Sequence, residues 1–328
     1  MSRIVDMNNK KSNEFDAVQY HAVVGSTTQV DVKVSMEETR GRRTVGIIGL
    51  GLIGGSLAKA LTSSTNYEVW GYARRQETCD KALADGGVHH ASTDMFEVVA
   101  QSDIIVFALP PTTNGAVFKT CVEHFKPGAI VTDVSSTKAN FAAVVYEHIP
   151  KGVHFVSVHP MAGSEKGGYE MANSHLFSGC TWIVLTDEAQ PAWNAEAATE
   201  LAEMGAHLGS RVEFIAMQDH DGFMAKVSHM PHLLAAMVAK VAGGDSQGEL
   251  RLRLAAGGFR DVTRVAGGLP SMWCEIIGGN QAEVYKALED MEGQIKLVKE
   301  ILSNHNDAEL ERYLSEAKVI RDHFSDIS

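Results

Sequence analysis

From Thr44 to Ala216 the chain repeats one pattern: a short apolar run, a turn, and a stretch with helical spacing. The runs are Val45-Gly46-Ile47-Ile48, Glu68 to Tyr72, Ile104 to Leu109, Ala129 to Thr132, Phe155 to Val158, Thr181 to Leu185 and Val212 to Ile215. Most are continuously apolar rather than alternating, as strands covered on both faces must be. Strands separated by helices build parallel sheets, because each crossover needs a dozen or more residues. The pattern predicts an α/β domain over 44–216 with a doubly wound parallel sheet.

Beyond Met217 the strand signals stop. Residues 218–241, 246–266, 271–303 and 307–324 carry helical spacing, as in Ile277, Val284, Leu288, Met291, Ile295 and Val298. Gly243-Gly244 and Gly267-Gly268 punctuate them. An all-helical second domain over 217–328 follows. Its apolar stripes are generous for so few helices, which predicts a homodimer paired through this domain. Residues 1–43 read as an N-terminal extension, partly disordered. Within it Val30, Val32, Val34 and Met36 alternate with polar residues like a half-buried strand, and Ala22-Val23-Val24 before Gly25-Ser26 allows a hairpin. A tail without order is the alternative.

Composition excludes several function classes. No apolar run approaches the roughly 20 residues of a membrane span. Met1 to Lys11 is polar with no hydrophobic signal core, so the expected location is cytoplasmic. Cys79, Cys121, Cys180 and Cys274 lie far apart, with neither CxxC nor ligand spacing. They read as reduced and structural, with no metal site. Formal charge is −12, with 29 basic against 41 acidic side chains and no basic cluster. Nucleic acid and anionic membranes are therefore not expected partners. A small anionic metabolite remains compatible, provided positive charge is concentrated locally.

Gly49-Leu50-Gly51-Leu52-Ile53-Gly54 fits G-x-G-x-x-G, directly after a predicted strand and at the opening of a helix. In that context Gly49 permits the tight turn, Gly51 lets a pyrophosphate approach the backbone, and Gly54 lets helix and strand pack closely. Leu52 and Ile53 open the helix whose free N–H groups face the phosphates. The first domain is thus a Rossmann-type dinucleotide domain. NAD sites normally end the second strand in an acid. Here the chain reads Gly71-Tyr72-Ala73-Arg74-Arg75, with Ala73 in the acid's place. Losing the acid relieves repulsion toward a 2′-phosphate, and Arg74 and Arg75 could bind it through guanidinium forks. The residues favour NADP, with NAD as the alternative if both arginines are merely solvated.

Three further segments are rich in chemistry. Asp133 to Lys138 and His159 to Glu165 each follow a predicted sheet strand, at the carboxyl ends where open α/β sheets bind ligands. His159 could accept a proton near neutral pH, and Ser136 could bond it or a substrate hydroxyl. In the helical domain, Ser228-His229-Met230-Pro231-His232 and Gly257 to Arg264 would bring His and Arg across a domain cleft. Bland readings stand beside these. His159 alone could be structural, Arg260 and Arg264 could be a solvated helix face, and His220-Asp221 could simply begin a helix. His229 and His232 have a ligand-like spacing, but no carboxylate or thiol set accompanies them. From the residues alone, the chain is a two-domain nicotinamide enzyme acting on something acidic.

Together these segments resemble the prephenate and arogenate dehydrogenases. The resemblance rests on GLGLIGGSLA at 49–58, DVSSTK at 133–138, HPMAGSEKGG at 159–168, SHMPH at 228–232, GGFRDVTR at 257–264 and MWCEIIGGN at 272–280. It implies oxidative decarboxylation of prephenate to 4-hydroxyphenylpyruvate in tyrosine biosynthesis, with hydride passing to NAD(P)+. His159 would take the proton from the ring hydroxyl and Ser136 would orient that hydroxyl. Arg264 would hold a substrate carboxylate, while His232, with His229 beside it, would line the substrate pocket. Arogenate-specific members often lack a histidine at the His232 position, so its presence favours prephenate. The Ala73-Arg74-Arg75 ending departs from the GYD common in NAD-using members. Arogenate dehydrogenase is the near alternative. A β-hydroxyacid dehydrogenase would be expected to use a lysine base on the helical domain, and no lysine stands in an equivalent glycine-rich setting. A dinucleotide-sensing regulator would not need His159, Ser136 and Arg264 together.

Overall fold

A computed structural model describes residues 18–24, 28–34, 41–64, 66–163 and 167–327, the first two stretches by their backbone alone. They group into two units, 1–220 with 268–275, and 221–267 with 276–328. The Gly25-Ser26 turn, Met36, and Ser164 to Lys166 of the His159 motif lie outside the described residues.

The first unit opens with β1 (Val18–Val24) antiparallel to β2 (Thr28–Val34), so both arms of the possible hairpin are paired strands. Its centre is a parallel sheet of β3 (Arg43–Ile48), β4 (Tyr67–Tyr72), β5 (His90–Ser92), β6 (Ile104–Phe107), β7 (Ile130–Asp133) and β8 (His154–Phe155). The order across the sheet is β5-β4-β3-β6-β7-β8. Chain direction across the sheet reverses between β3 and β6, the switch point at which such sheets open a crevice beyond their carboxyl ends.

Apolar runs become central strands here because alternate residues feed two separate cores. Val45, Ile47, Ile104 and Val106 join one core with Leu57 and Leu61 of the helix Leu52–Thr62. Ile48, Ile105 and Phe107 join the other, with Phe118, Phe141 and Phe155. Phe107, Phe118 and Phe141 meet in tilted and edge-on pairs at 5.6–6.0 Å between centroids. Each such buried side chain contributes about 1.5–3 kcal/mol from burial.

The last three predicted strands depart from the expected single sheet. β9 (Val158–Pro160), β10 (Thr181–Thr186) and β11 (Arg211–Ala216) form a second sheet of order β11-β10-β9, with β10 parallel to β11 and antiparallel to β9. The expected strand Phe155 to Val158 is cut in two: Phe155 ends the first sheet and Val158 begins the second. One apolar run can serve two sheets because periodicity reports burial and not the pairing partner.

The second unit is helical among its described residues, with helices Met230–Gly243, Gly248–Leu254, Gly257–Thr263, Gln281–Ser303 and Asp307–Ile327. The expected helix over 246–266 breaks at Ala255-Ala256. The one over 271–303 breaks at Asn280, where a weak run, Gly278-Gly279-Asn280, closes Pro270–Gly279 and Asn280 leaves helical geometry at φ −130°. Among the described residues no helix is long and apolar enough to cross a membrane.

Candidate active site

The turn after β3 is built as the glycine pattern requires. Gly49 has φ +112°, a region closed to most side chains. A Cβ on Gly54 would lie 2.0 Å from the Gly49 carbonyl oxygen, whereas one on Gly51 would meet nothing within 4 Å. The turn is thus tight at Gly49 and Gly54 and open at Gly51, the side from which a phosphate would approach. Gly51 caps Leu52–Thr62 with no side-chain hydrogen bond and no acid in the first turn, leaving the helix start to an anion. Leu52 and Ile53 form that first turn. These residues fit a bound dinucleotide.

β4 ends at Tyr72, followed by buried Ala73 and then exposed Arg74 and Arg75. Arg75 caps the helix Gln76–Ala84. Glu170, exposed and bonded to Lys81 at 3.0 Å, has its carboxyl held below the usual range by its own backbone N–H, by Lys81 and, at longer reach, by Arg75. The helix carrying the glycine turn is also tied to the chain beyond His159. Lys59 pairs with Asp85 at 2.9 Å, and the Tyr169 hydroxyl donates to the same carboxylate at 2.7 Å. The Asn173 N–H donates to Ser56 Oγ at 2.9 Å.

The carboxyl end of β7 holds an ion pair that sequence reasoning left without a role. Asp133 is fully buried, and Lys138, 1% exposed, donates to its Oδ2 at 2.8 Å. Lys138 Nζ also donates to the Val158 carbonyl at 2.6 Å. Asp133 accepts from the Ser135 N–H at 3.0 Å and from the Ser157 hydroxyl. Asn114 donates to Ser135 Oγ at 2.9 Å and accepts from the Leu109 N–H, joining the loop after β6. These bonds clamp the turn bearing half-buried Ser136 and draw β9 to the end of β7. The signal was present in the sequence: opposite charges five apart where an apolar strand ends, which burial permits only as a pair.

His159 lies within β9, not after a strand as expected, paired in register with Ile183. Its ring is buried, and Nδ1 stands 2.9 Å from Nε2 of fully buried His220. His220 belongs to the helix Met217–Met224 that follows β11. Separated from His159 by 61 residues, it carries no local sequence signal.

In the second unit His229 ends a π-helical turn, Ala225–His229, and Asn280 Nδ2 lies 3.1 Å from its Nδ1. Asn280 also donates to the Asp221 carbonyl at 2.7 Å. An amide NH2 can only donate, so His229 carries its proton on Nε2. His232 is buried in the next helical turn. Burial lowers its tendency to protonate, against a hydrogen bond with the backbone of Val265. Arg264 precedes Val265 and is exposed, at the start of the 3-10 turn Arg264–Gly267. The structure therefore gathers His232 with the Arg264 segment in this unit. In the first unit the glycine turn and the Ser136 turn lie at carboxyl ends of the parallel sheet, and His159, in the second sheet, follows the Val158 carbonyl bonded by Lys138. No group of histidine, cysteine and carboxylate able to hold a metal occurs among the described residues.

A six-stranded parallel sheet, an open glycine turn at its switch point and a buried histidine next to the strand residue bonded by Lys138 define an NAD(P)-dependent oxidoreductase. Residues 57–213 match the nucleotide-binding domain of prephenate dehydrogenase, and residues 216–316 its dimerization domain. The chain belongs to the prephenate dehydrogenase family. Prephenate dehydrogenase of Bacillus subtilis (strain 168) is 29% identical over 287 residues, 85% of this chain and 75% of that protein. A structure of the A. aeolicus prephenate dehydrogenase, in complex with hydroxyphenyl propionate and NAD+, is 29% identical with a TM-score of 0.79, covering 88% of this chain and all of that one. Synechocystis arogenate dehydrogenase is 29% identical with a TM-score of 0.77, over 86% and 99%.

Proposed function

We propose that this chain oxidises and decarboxylates prephenate, with His159 as the proton acceptor and NADP+ preferred over NAD+. Bound nicotinamide supplies the hydride acceptor. The ring hydroxyl gives its proton to His159 as the hydrogen on the same carbon departs with its electron pair. The electrons of the ring-to-carboxylate bond then restore aromaticity, carbon dioxide leaves, and His159 returns the proton to the phenolate oxygen. Proton and charge balance without a metal or a covalent intermediate. Catalysis then requires positioning and one base. Ser136 orients the hydroxyl and Arg264 pairs with a substrate carboxylate, while His232 and His229 shape the pocket. Gly49, Gly51, Leu52, Ile53 and Gly54 hold the pyrophosphate, and Arg74 and Arg75 the 2′-phosphate. The homodimer forms through the helical unit, and the enzyme works in the cytoplasm.

The observation that carries this reading is the buried His159 ring, gripped at Nδ1 beside the clamped turn of Ser136. His232, present here, supports prephenate over arogenate. The test is a spectrophotometric assay crossing both substrates with both cofactors. The highest kcat/KM should fall to prephenate with NADP+. A higher value with arogenate overturns the substrate assignment, and a higher value with NAD+ the cofactor assignment. His159→Asn should lose about 10²- to 10⁴-fold in kcat, the usual worth of a general base; near-normal turnover would remove its role.

A further inference from the structure

We propose that His220 is the positioning residue of the catalytic base: a neutral imidazole that accepts the His159 Nδ1 proton and so fixes the Nε2 lone pair of His159 for the substrate hydroxyl. The inference rests on the assignment of His159 as base. Two imidazole nitrogens 2.9 Å apart need one proton between them, so one ring donates and the other accepts. If His220 donated, His159 would carry its proton on Nε2 and have no lone pair to offer there. The working arrangement is therefore His159 Nδ1–H to His220 Nε2, with the His220 proton on its own Nδ1.

The surroundings favour a fixed geometry. His220 is fully buried, and His159 is held on the strand side by its register with Ile183 and by the Lys138 bond to the Val158 carbonyl. The rings are inclined at 59° with centroids 5.1 Å apart, an edge-directed contact rather than a stack. Elsewhere a carboxylate orients a catalytic histidine in this way. A neutral ring orients without adding negative charge. When the substrate proton arrives on His159 Nε2, the Nδ1 proton can shift to His220 Nε2, spreading one positive charge over two rings. The shift reverses as the phenolate takes its proton back.

Three proteins and one spectrum test this. His220→Leu removes the acceptor and should lower kcat about 10²-fold, with KM for prephenate and cofactor within about threefold. His220→Gln places a carbonyl oxygen near the former Nε2 and should recover at least a tenth of the wild-type kcat. His159→Asn is the control. If His159→Asn is inactive while His220→Leu keeps kcat within threefold of wild type, the inference fails and the base assignment stands. If His159→Asn stays active, the base assignment itself fails. Nitrogen-15 NMR of the full-length wild-type chain, labelled at histidine and assigned against His159→Asn, reads the tautomer without depending on the folding of any His220 variant. A proton on Nδ1 of neutral His159 supports the proposal, and a proton on Nε2 overturns it.

Discussion

Replacing Lys138 by Met should destabilise the first unit by about 3–5 kcal/mol, the cost of leaving one member of a buried ion pair uncompensated. Methionine fills much of the lysine stem's volume, so little of that loss arises from a cavity. It arises because Asp133, fully buried, loses the ammonium at 2.8 Å and keeps only the Ser135 N–H and the Ser157 hydroxyl. The Val158 carbonyl loses its donor as well. At roughly 2–4 °C per kcal/mol for a domain of this size, the melting transition should fall by about 6–20 °C. Asp133→Asn should cost a similar amount, because it strands the ammonium. The double variant Lys138→Met/Asp133→Asn removes both charges while Asn keeps an acceptor for the serines, so its cost should fall short of the sum by about 2–3 kcal/mol. Urea unfolding of the four proteins of this cycle measures that difference directly. Additivity within about 0.5 kcal/mol, or a Lys138→Met cost below about 1 kcal/mol, would refute the account of the pair as a mutually compensated clamp.

Gly54→Ala should weaken dinucleotide binding at least tenfold in a fluorescence titration and destabilise by about 1–3 kcal/mol, because its Cβ would meet the Gly49 carbonyl. Arg264→Ala should raise KM for prephenate about 10- to 100-fold with cofactor affinity unchanged, as expected for one charge-assisted carboxylate contact; an unchanged KM removes that role. His232 resists protonation in the fold because burial disfavours its cation. The unfolded chain therefore binds the extra proton first, and stability present above about pH 6.5 is lost as pH falls below it. The urea midpoint of His232→Gln should fall less steeply than wild type between pH 7.5 and 5; identical slopes would contradict this.

The parallel sheet was legible because it obeys local rules. Val45 to Ile48 and Ile104 to Phe107 are apolar throughout, as their two-faced burial demands, and the glycine turn follows β3 where the pattern places it. The second sheet was not legible. Val158, His159 and Pro160 pair antiparallel with β10, a choice set by contacts more than 20 residues away in the chain. The candidate site segments stand out by residue type, since histidine, serine and arginine announce chemistry. What holds them was less visible. Asp133 and Lys138 stand in a segment singled out for chemistry, yet their pairing with each other shows only in the fold, and His220 reads as the start of a helix until the fold delivers it to His159. The helix break at Asn280 was not legible within the expected helix over 271–303, and neither was the grip of Asn280 on His229.

The π-helical turn at Ala225–His229 holds one more residue than an ordinary α-helical turn would. Deleting a single residue there would let the segment relax to regular α-helix, and the side chains of Met230–Gly243 would keep their bearing, because the wide turn already absorbs the extra residue's rotation of about 100°. The same deletion between Met230 and His232, in regular helix, would instead swing His232 by about 100° and carry it away from Val265. The wide turn thus acts as slack that lets the chain gain or lose one residue while everything downstream holds its angle.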